Sequence, residues 1–162
     1  MSTTTAHPET SISADPEAPT IHITREFDAP VDAVFRAHVD PELVVRWLGP
    51  RSVTMRVDRW DATTGGAYRY AHTRGEEEYR FYGSFHEVRP GERIVQTFTF
   101  EGFPDGVSLE TVTFEDLGGG RSRLHAVSVF ETTEVRDMAM ASGMETGVVE
   151  GYEQLDDLLT TP

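Results

Sequence analysis

Apolar and polar residues first settle into a period of two at Ile21-His-Ile-Thr-Arg-Glu-Phe27, the spacing of a strand with one buried face. Residues 1–19, ahead of it, are mostly Thr, Ser, Pro, Ala and Glu with almost no large apolar side chain. They are expected to be a disordered N-terminal tail, because they bury too little surface to offset the entropy of ordering. Asp28-Ala-Pro30 closes the strand, and Pro30 suits the first position of a helix with Val31, Val34 and Phe35 as its apolar stripe. Asp40 is placed to cap a second short helix, with Pro41 at its first position and Glu42 in its first turn. That helix is expected to carry Leu43, Val44, Trp47 and Leu48 and to stop at Gly49-Pro50.

From Ser52 to Glu131 the pattern predicts strands at Val53–Trp60, Ala67–Thr73, Glu78–Arg89, Arg93–Glu101, Val107–Asp116 and Arg121–Glu131. Thr64-Gly65-Gly66, Pro90-Gly91-Glu92, Pro104-Asp105-Gly106 and Gly118-Gly119-Gly120 supply turn chemistry between them. Connections this short leave no room for crossovers, so the strands form an antiparallel meander. After Thr132-Thr133, a natural N-cap pair, the period becomes helical to about Leu159, with Ala141, Met144, Val148, Tyr152, Leu155 and Leu159 on one stripe. A single helix of that length spans about 40 Å. Gly143, Gly147 and Gly151 each cost about 1 kcal/mol against Ala in a helix, so close approach to the sheet or room for a ligand should explain them. The elements add up to an α+β domain over residues 20–162: a curved antiparallel sheet of six to seven strands around a long C-terminal helix, with two short helices after the first strand.

Composition narrows the function classes. A chain of 162 residues, 38% apolar and 10% aromatic, suits one domain with a packed core. No apolar run approaches the roughly 18 residues that cross a bilayer, and no secretory signal pattern opens the chain. The absence of Cys removes disulfides, thiolate metal sites and Cys nucleophiles, and suits a cytoplasmic protein. All the basic residues are Arg, which reflects base composition, and the net charge of −14 disfavours nucleic acid and anionic membranes as partners. The chain is expected to be a monomer or weak homodimer.

Several boxes resemble a known family. Arg25-Glu-Phe-Asp-Ala-Pro-Val-Asp-Ala-Val-Phe35 resembles its opening strand and first helix, and Asp40-Pro-Glu-Leu-Val-Val-Arg-Trp-Leu-Gly-Pro50 its Asp-Pro-Glu and Arg-Trp box, with Leu48 where a second Trp is frequent. Gly65-Gly66-Ala-Tyr-Arg-Tyr70, Gly83-Ser-Phe-His-Glu-Val-Arg-Pro90 and Arg93-Ile-Val-Gln-Thr-Phe98 resemble its central strands, with Gly91 in place of a second Pro and Phe98 in place of a Trp. Ala141 to Tyr152 resembles the start of its closing helix. In order and spacing these resemble the START-like superfamily, also called SRPBCC or Bet v-like, and within it the bacterial homologues of the C-terminal domain of the heat-shock-protein-90 ATPase activator. The resemblance covers about Thr20 to Leu159 and implies a helix-grip fold with a cavity. It does not imply a reaction, since the superfamily includes lipid carriers, hormone receptors and aromatic polyketide cyclases.

The candidate ligand-lining residues are Trp47, Tyr68, Tyr70, His72, Phe81, Phe85, Phe98, Met144, Val148 and Tyr152. Tyr68, Tyr70 and His72 share one strand face, Phe81, Gly83 and Phe85 another, and Phe98 and Phe100 a third. Packing against the helix is the favoured use of the Phe residues. For Tyr68, Tyr70 and His72 packing and ligand lining are evenly balanced, because a buried Tyr or His needs a hydrogen-bond partner. Trp47 is expected to anchor the core and to gate one end of the cavity. His72, His86 and His125 lie on different strands, each more simply solvent-facing or structurally satisfied, and no spacing supports a metal site or a cofactor. Gly118-Gly119-Gly120 is a hairpin turn and not a phosphate loop, and Glu76-Glu77-Glu78 a solvated turn.

Three functions follow in order. The first is binding of a small apolar or aromatic molecule between sheet and helix, with no catalytic residue named. The second is a cyclase or dehydratase acting on an aromatic or polyketide-like substrate through His72 with Tyr70, or through His86. The third, a chaperone ATPase activator, comes last. The eukaryotic activator, as the resemblance implies, relies on a further N-terminal domain that the first 20 residues are too short to replace.

Overall fold

A computed structural model describes residues 7–160. Strands β1 (Thr10–Ala14), β2 (Thr20–Phe27), β3 (Thr54–Trp60), β4 (Ala67–Arg74), β5 (Glu77–Arg89), β6 (Arg93–Phe100), β7 (Ser108–Gly118) and β8 (Arg121–Val129) accompany helices α1 (Val31–Val39), α2 (Pro41–Val44), α3 (Thr133–Ala141) and α4 (Met144–Thr160). The strands form one sheet in the order β1-β2-β8-β7-β6-β5-β4-β3, antiparallel throughout. Register shifts at Val57/Arg59, Phe85/Glu87 and Asp116/Gly118 bend the sheet, as bulges do. With α1, α2 and the C-terminal helices on the concave side, the architecture is the expected helix-grip fold.

Each strand read from the sequence is present with its ends moved by at most two residues, and one strand is additional. The expected tail of residues 1–19 is corrected over Thr10–Ala14, which pairs with β2 as the eighth strand; residues 1–6 of that expectation lie outside the described residues. Backbone pairing, which needs no apolar composition, orders this stretch, helped by Ile12 packing on the core. Two arginines fasten it. Arg25 Nε donates to Thr10 Oγ1 at 3.1 Å. Arg136 of α3, itself buried, donates through Nη1 to the carbonyls of Asp15, Ala18 and Thr20 at 2.8, 2.9 and 3.0 Å.

Two helical expectations also change. The C-terminal segment is two helices, because Gly143 takes φ +89°, a left-handed conformation that ends α3 and lets the chain restart as α4. The second short helix stops at Val44, with Asp40 capping it by accepting from Glu42 N, and Trp47 and Leu48 lie in the turns that follow. Trp47 is nonetheless a core anchor: its indole Nε1 donates to Ala37 O at 2.9 Å and its ring stacks on Tyr152 with centroids 5.9 Å apart. Thr132 caps α3 by accepting from Val135 N, as read.

The core has two halves. One joins β2 and β8 to α1, α2 and α4 through Ile21, Ile23, Phe27, Val34, Val44, Trp47, Leu124, Tyr152 and Leu155. The other joins β4, β5 and β6 to α1 through Phe35, Tyr68, Tyr70, Phe85 and Ile94. His38 sits in the core with its ring 4.8 Å from Trp47 and 5.3 Å from Phe114, its Nδ1–H donating to Val34 O at 2.7 Å. Burial pushes its pKa down to about 4.

Close approach explains Gly151, whereas Gly147 meets its neighbour only at ordinary contact distance. A Cβ at Gly151 would stand 3.1 Å from Trp47 O and 3.3 Å from Gly49 N, and one at Gly147 3.4 Å from Pro50 Cδ. Gln154 adds bonds from Nε2 to the carbonyls of Trp47 and Gly49 at 3.2 and 2.9 Å. Ala in place of Gly normally gains up to about 1 kcal/mol inside a helix. Here Gly151→Ala is expected to lose about 1 kcal/mol instead, since backbone atoms cannot yield to the methyl group. Urea unfolding of the variant reads that sign directly.

Candidate functional site

Register fixes which side chains face the concave side. Ile21, in the core, pairs with Ser128, Ser128 with Glu110 and Glu110 with Gln96. Paired residues of an antiparallel ladder point to the same face, so Gln96, Glu110 and Ser128 form a polar row across β6, β7 and β8 inside the sheet's curve. By the same rule Phe98 and Ser108 flank that row on one side, and Ile94 and Val112 on the other. Although they face the concave side, Phe81, Gln96, Phe98, Glu110 and Ser128 are only half-buried. The helices therefore leave this stretch of the concave face, a trough over β5 to β8, only partly covered.

Tyr68 reaches the polar row from β4 because Gly83 lies opposite it on β5. A Cβ at Gly83 would stand 2.7 Å from the Tyr68 hydroxyl oxygen and 2.0 Å from Thr97 O, so only glycine lets the ring cross that strand. The hydroxyl donates to Thr97 O at 2.6 Å and accepts from Gln96 Nε2 at 3.2 Å. Gln96 Nε2 also approaches Glu110 Oε1 at 3.4 Å, and Ser128 Oγ donates to Glu110 Oε2 at 3.3 Å. Both bonds to the carboxylate are long, and no Arg or His pairs with it among the described residues. Protein surrounds the group closely even though water reaches part of it, and this desolvation pushes its pKa up to about 7 against the pull of Ser128 and Gln96.

Two further hydroxyls face the same region. Tyr70 and Tyr152 are 5% and 8% exposed, and neither hydroxyl has a hydrogen-bond partner among the described residues. Neither is sealed in, because the one fully enclosed side-chain polar atom without a partner among those residues is Arg93 Nε. Burial raises both phenols well above the ordinary tyrosine value, and the Glu110 charge raises them further, as it does Tyr68. Tyrosines on β4 and α4 thus feel a carboxylate on β7.

The expected lining residues are distributed as follows. Tyr68, Tyr70, His72 and Phe85 are buried on the concave face of β4 and β5, and Phe81 and Phe98 stack on each other at 5.4 Å there. Tyr70 stacks on Phe81 at 5.1 Å, so the three faces read separately from the sequence merge into one aromatic wall. His72 turns inward, its Nε2–H donating to Leu48 O at 3.1 Å, and burial holds its pKa below the usual value. Trp47 and Tyr152 belong to the other half of the core, with Met144 and Val148 half-buried along α4. The three histidines do not converge. His86 is exposed on β5, and His125 faces out beside His22 at 5.9 Å, so an acid–base pair through His86 is removed.

Glu110 was not among the residues singled out in the sequence, although a signal was present. In Leu109-Glu110-Thr111-Val112-Thr113-Phe114 the period of two puts Glu110 on the face of Val112 and Phe114, the apolar one. Two other hollows lie apart from this trough. One of about 360 Å³ sits at the end of α4 between Phe27, Asp156, Leu159 and His7, and one of about 260 Å³ beside the Gly118–Gly120 turn. Among the described residues no cluster of His, Asp and Glu could hold a metal ion, and no helix is long and apolar enough to cross a membrane.

Comparison with known proteins places this geometry. A comparison with curated proteins gives no match. A protein from Arthrobacter aurescens, solved in solution, is 31% identical over 94% of this chain and 92% of its own, with a TM-score of 0.85. The crystal structure of a Mycobacterium smegmatis protein is 26% identical over 95% of this chain and 99% of its own, also at 0.85, and one from Chromobacterium violaceum is 29% identical over 89% and 99%, at 0.76. Residues 28–160 match the family model described as activator of Hsp90 ATPase homolog 1-like protein, and the chain belongs to that family within the SRPBCC, or Bet v-like, superfamily.

Proposed function

We propose that the chain binds a small, largely aromatic molecule in the trough between β5–β8 and the C-terminal helices. The observation that carries this reading is the combination of an aromatic wall with concave-facing side chains that remain half-buried and two tyrosine hydroxyls without partners among the described residues. A closed core would cover those rings and bond those hydroxyls. An apolar concave site with a few polar groups is the usual form of a small-molecule pocket. A binding role needs no converged catalytic pair, in keeping with the outward positions of His86 and His125.

A thermal-shift screen with flavonoids and other aromatic polyketides tests the reading, because a ligand that binds only the folded state stabilises it by mass action. Some members are expected to raise Tm. Ser128→Trp, which fills the trough from β8, is expected to abolish the shift while remaining folded. No shift from any compound, or shifts that Ser128→Trp leaves unchanged, would rule the site out.

A further inference from the structure

The polar row has an unusual balance of hydrogen-bonding groups. A carboxylate has about four acceptor sites. Glu110 uses two of them, in long bonds from Gln96 and Ser128. The unpartnered oxygens of Tyr70 and Tyr152 add acceptor capacity in the same region. Among the described residues no cation is matched to these groups. The titratable and charged side chains that act electrostatically with Glu110 are Tyr68 and Tyr70 from β4 and Tyr152 from α4, all neutral at ordinary pH, while Arg25, the cation acting on Tyr152, is engaged with Asp156. The trough is acceptor-rich and cation-deficient, and the stacked rings of Tyr70, Phe81 and Phe98 lie on the same concave face.

We propose that the trough selects a lipophilic amine, an aromatic or aliphatic body bearing a primary ammonium head that docks on Glu110. This rests on the ligand-binding reading above and names its ligand class. An ammonium brings three donors and a full charge to the free acceptor sites. Its C–H and N–H groups sit favourably against ring faces. A carboxylate head of the same shape meets Glu110 as a like charge, and an alcohol supplies one donor with no charge. Bringing a cation to Glu110 favours its ionised form, so amine binding strengthens as pH rises through about 7 and releases a proton below that.

A matched trio isolates the head group: 2-naphthylmethylamine, 2-naphthylmethanol and 2-naphthoate, titrated calorimetrically into the full chain at pH 6 and pH 8. In the wild type at pH 8 the amine is expected to bind about tenfold or more tightly than the alcohol, with naphthoate weakest. Glu110→Gln, which keeps the shape and the contacts to Gln96 and Ser128, is expected to bring amine and alcohol to equal affinity. Repeating the wild-type amine titration at pH 7 in two buffers of different ionisation enthalpy should show release of roughly half a proton on binding, a readout that does not depend on the variant. Equal affinity of amine and alcohol in the wild type, or an amine preference that persists in Glu110→Gln and so reflects only the net charge of −14, overturns the head-group assignment while leaving ligand binding standing. Failure of all three compounds to bind overturns both.

Discussion

Asp156→Ala is expected to cost about 3–5 kcal/mol, the usual penalty for removing one partner from a buried ion pair. The Arg25 side chain is fully buried and that of Asp156 only 12% exposed. The guanidinium and carboxylate meet through two nitrogens and two oxygens, Nη1 to Oδ1 at 3.0 Å and Nη2 to Oδ2. Arg25 has further bonds to Thr10 Oγ1 and, at 2.6 Å, to Glu26 O, and lies 4.9 Å over the Phe27 ring. Removing Asp156 leaves the buried guanidinium without its carboxylate, approached by water only through the hollow beside Asp156 and His7, while α4 loses its tie to β2. The attraction itself adds little net stability, because desolvating both groups offsets it. The double replacement Arg25→Met with Asp156→Leu is therefore expected to fall within about 1 kcal/mol of wild type. Urea unfolding of both variants at pH 7 checks the pair. A single variant that loses less than about 1 kcal/mol would show that water reaches Arg25 once the carboxylate is gone.

The same pair shows where sequence reasoning works and where it stops. Arg25 sits at a position where period two demands an apolar residue, and β2 was still readable because Ile21, Ile23 and Phe27 outvote it. Its partner lies 131 residues away, and nothing local in α4 marks Asp156 as different from Asp157. Strand limits and antiparallel order were legible because turn chemistry is local. The break at Gly143 was not. Three glycines at equal spacing look alike in sequence, yet one adopts a positive φ and the other two lie against Pro50 and the Trp47–Gly49 backbone. β1 was missed because its order comes from pairing with β2 and from Arg136, both properties of the assembled fold. The aromatic half of the site could be read from alternation. The polar half could not, because the partners of Glu110 come from β6 and β8 and only register unites them.

Glu110→Gln is expected to raise stability at pH 8 while leaving it nearly unchanged at pH 4.5. In the folded chain the Glu110 pKa is pushed from 4.5 to about 7, so between those values the folded state holds a proton that the unfolded state has lost. Stability from this group is complete below about 4.5 and is lost as pH rises through 7. A shift of that size corresponds to about 3 kcal/mol, which water in the trough reduces to about 2 kcal/mol. His38 acts in the opposite sense. Its pKa falls from 6.5 to about 4, so the unfolded chain takes up protons first and stability is lost as pH drops from 6.5 through 4, by about 3 kcal/mol at most. Between pH 4.5 and 6.5 the two slopes oppose each other and largely cancel in the wild type. The variant removes only the Glu110 slope, so its stability should fall visibly on acidification from pH 6.5 while that of the wild type stays flatter. Urea unfolding at pH 4.5, 5.5, 6.5 and 8 gives both curves, and their difference isolates Glu110 because every other acid contributes equally to each. Parallel curves would mean that Glu110 ionises as a solvated carboxylate and the trough is wet throughout. A difference that opens with rising pH is stability the fold gives up by keeping an uncompensated charge, and a bound ammonium would recover it.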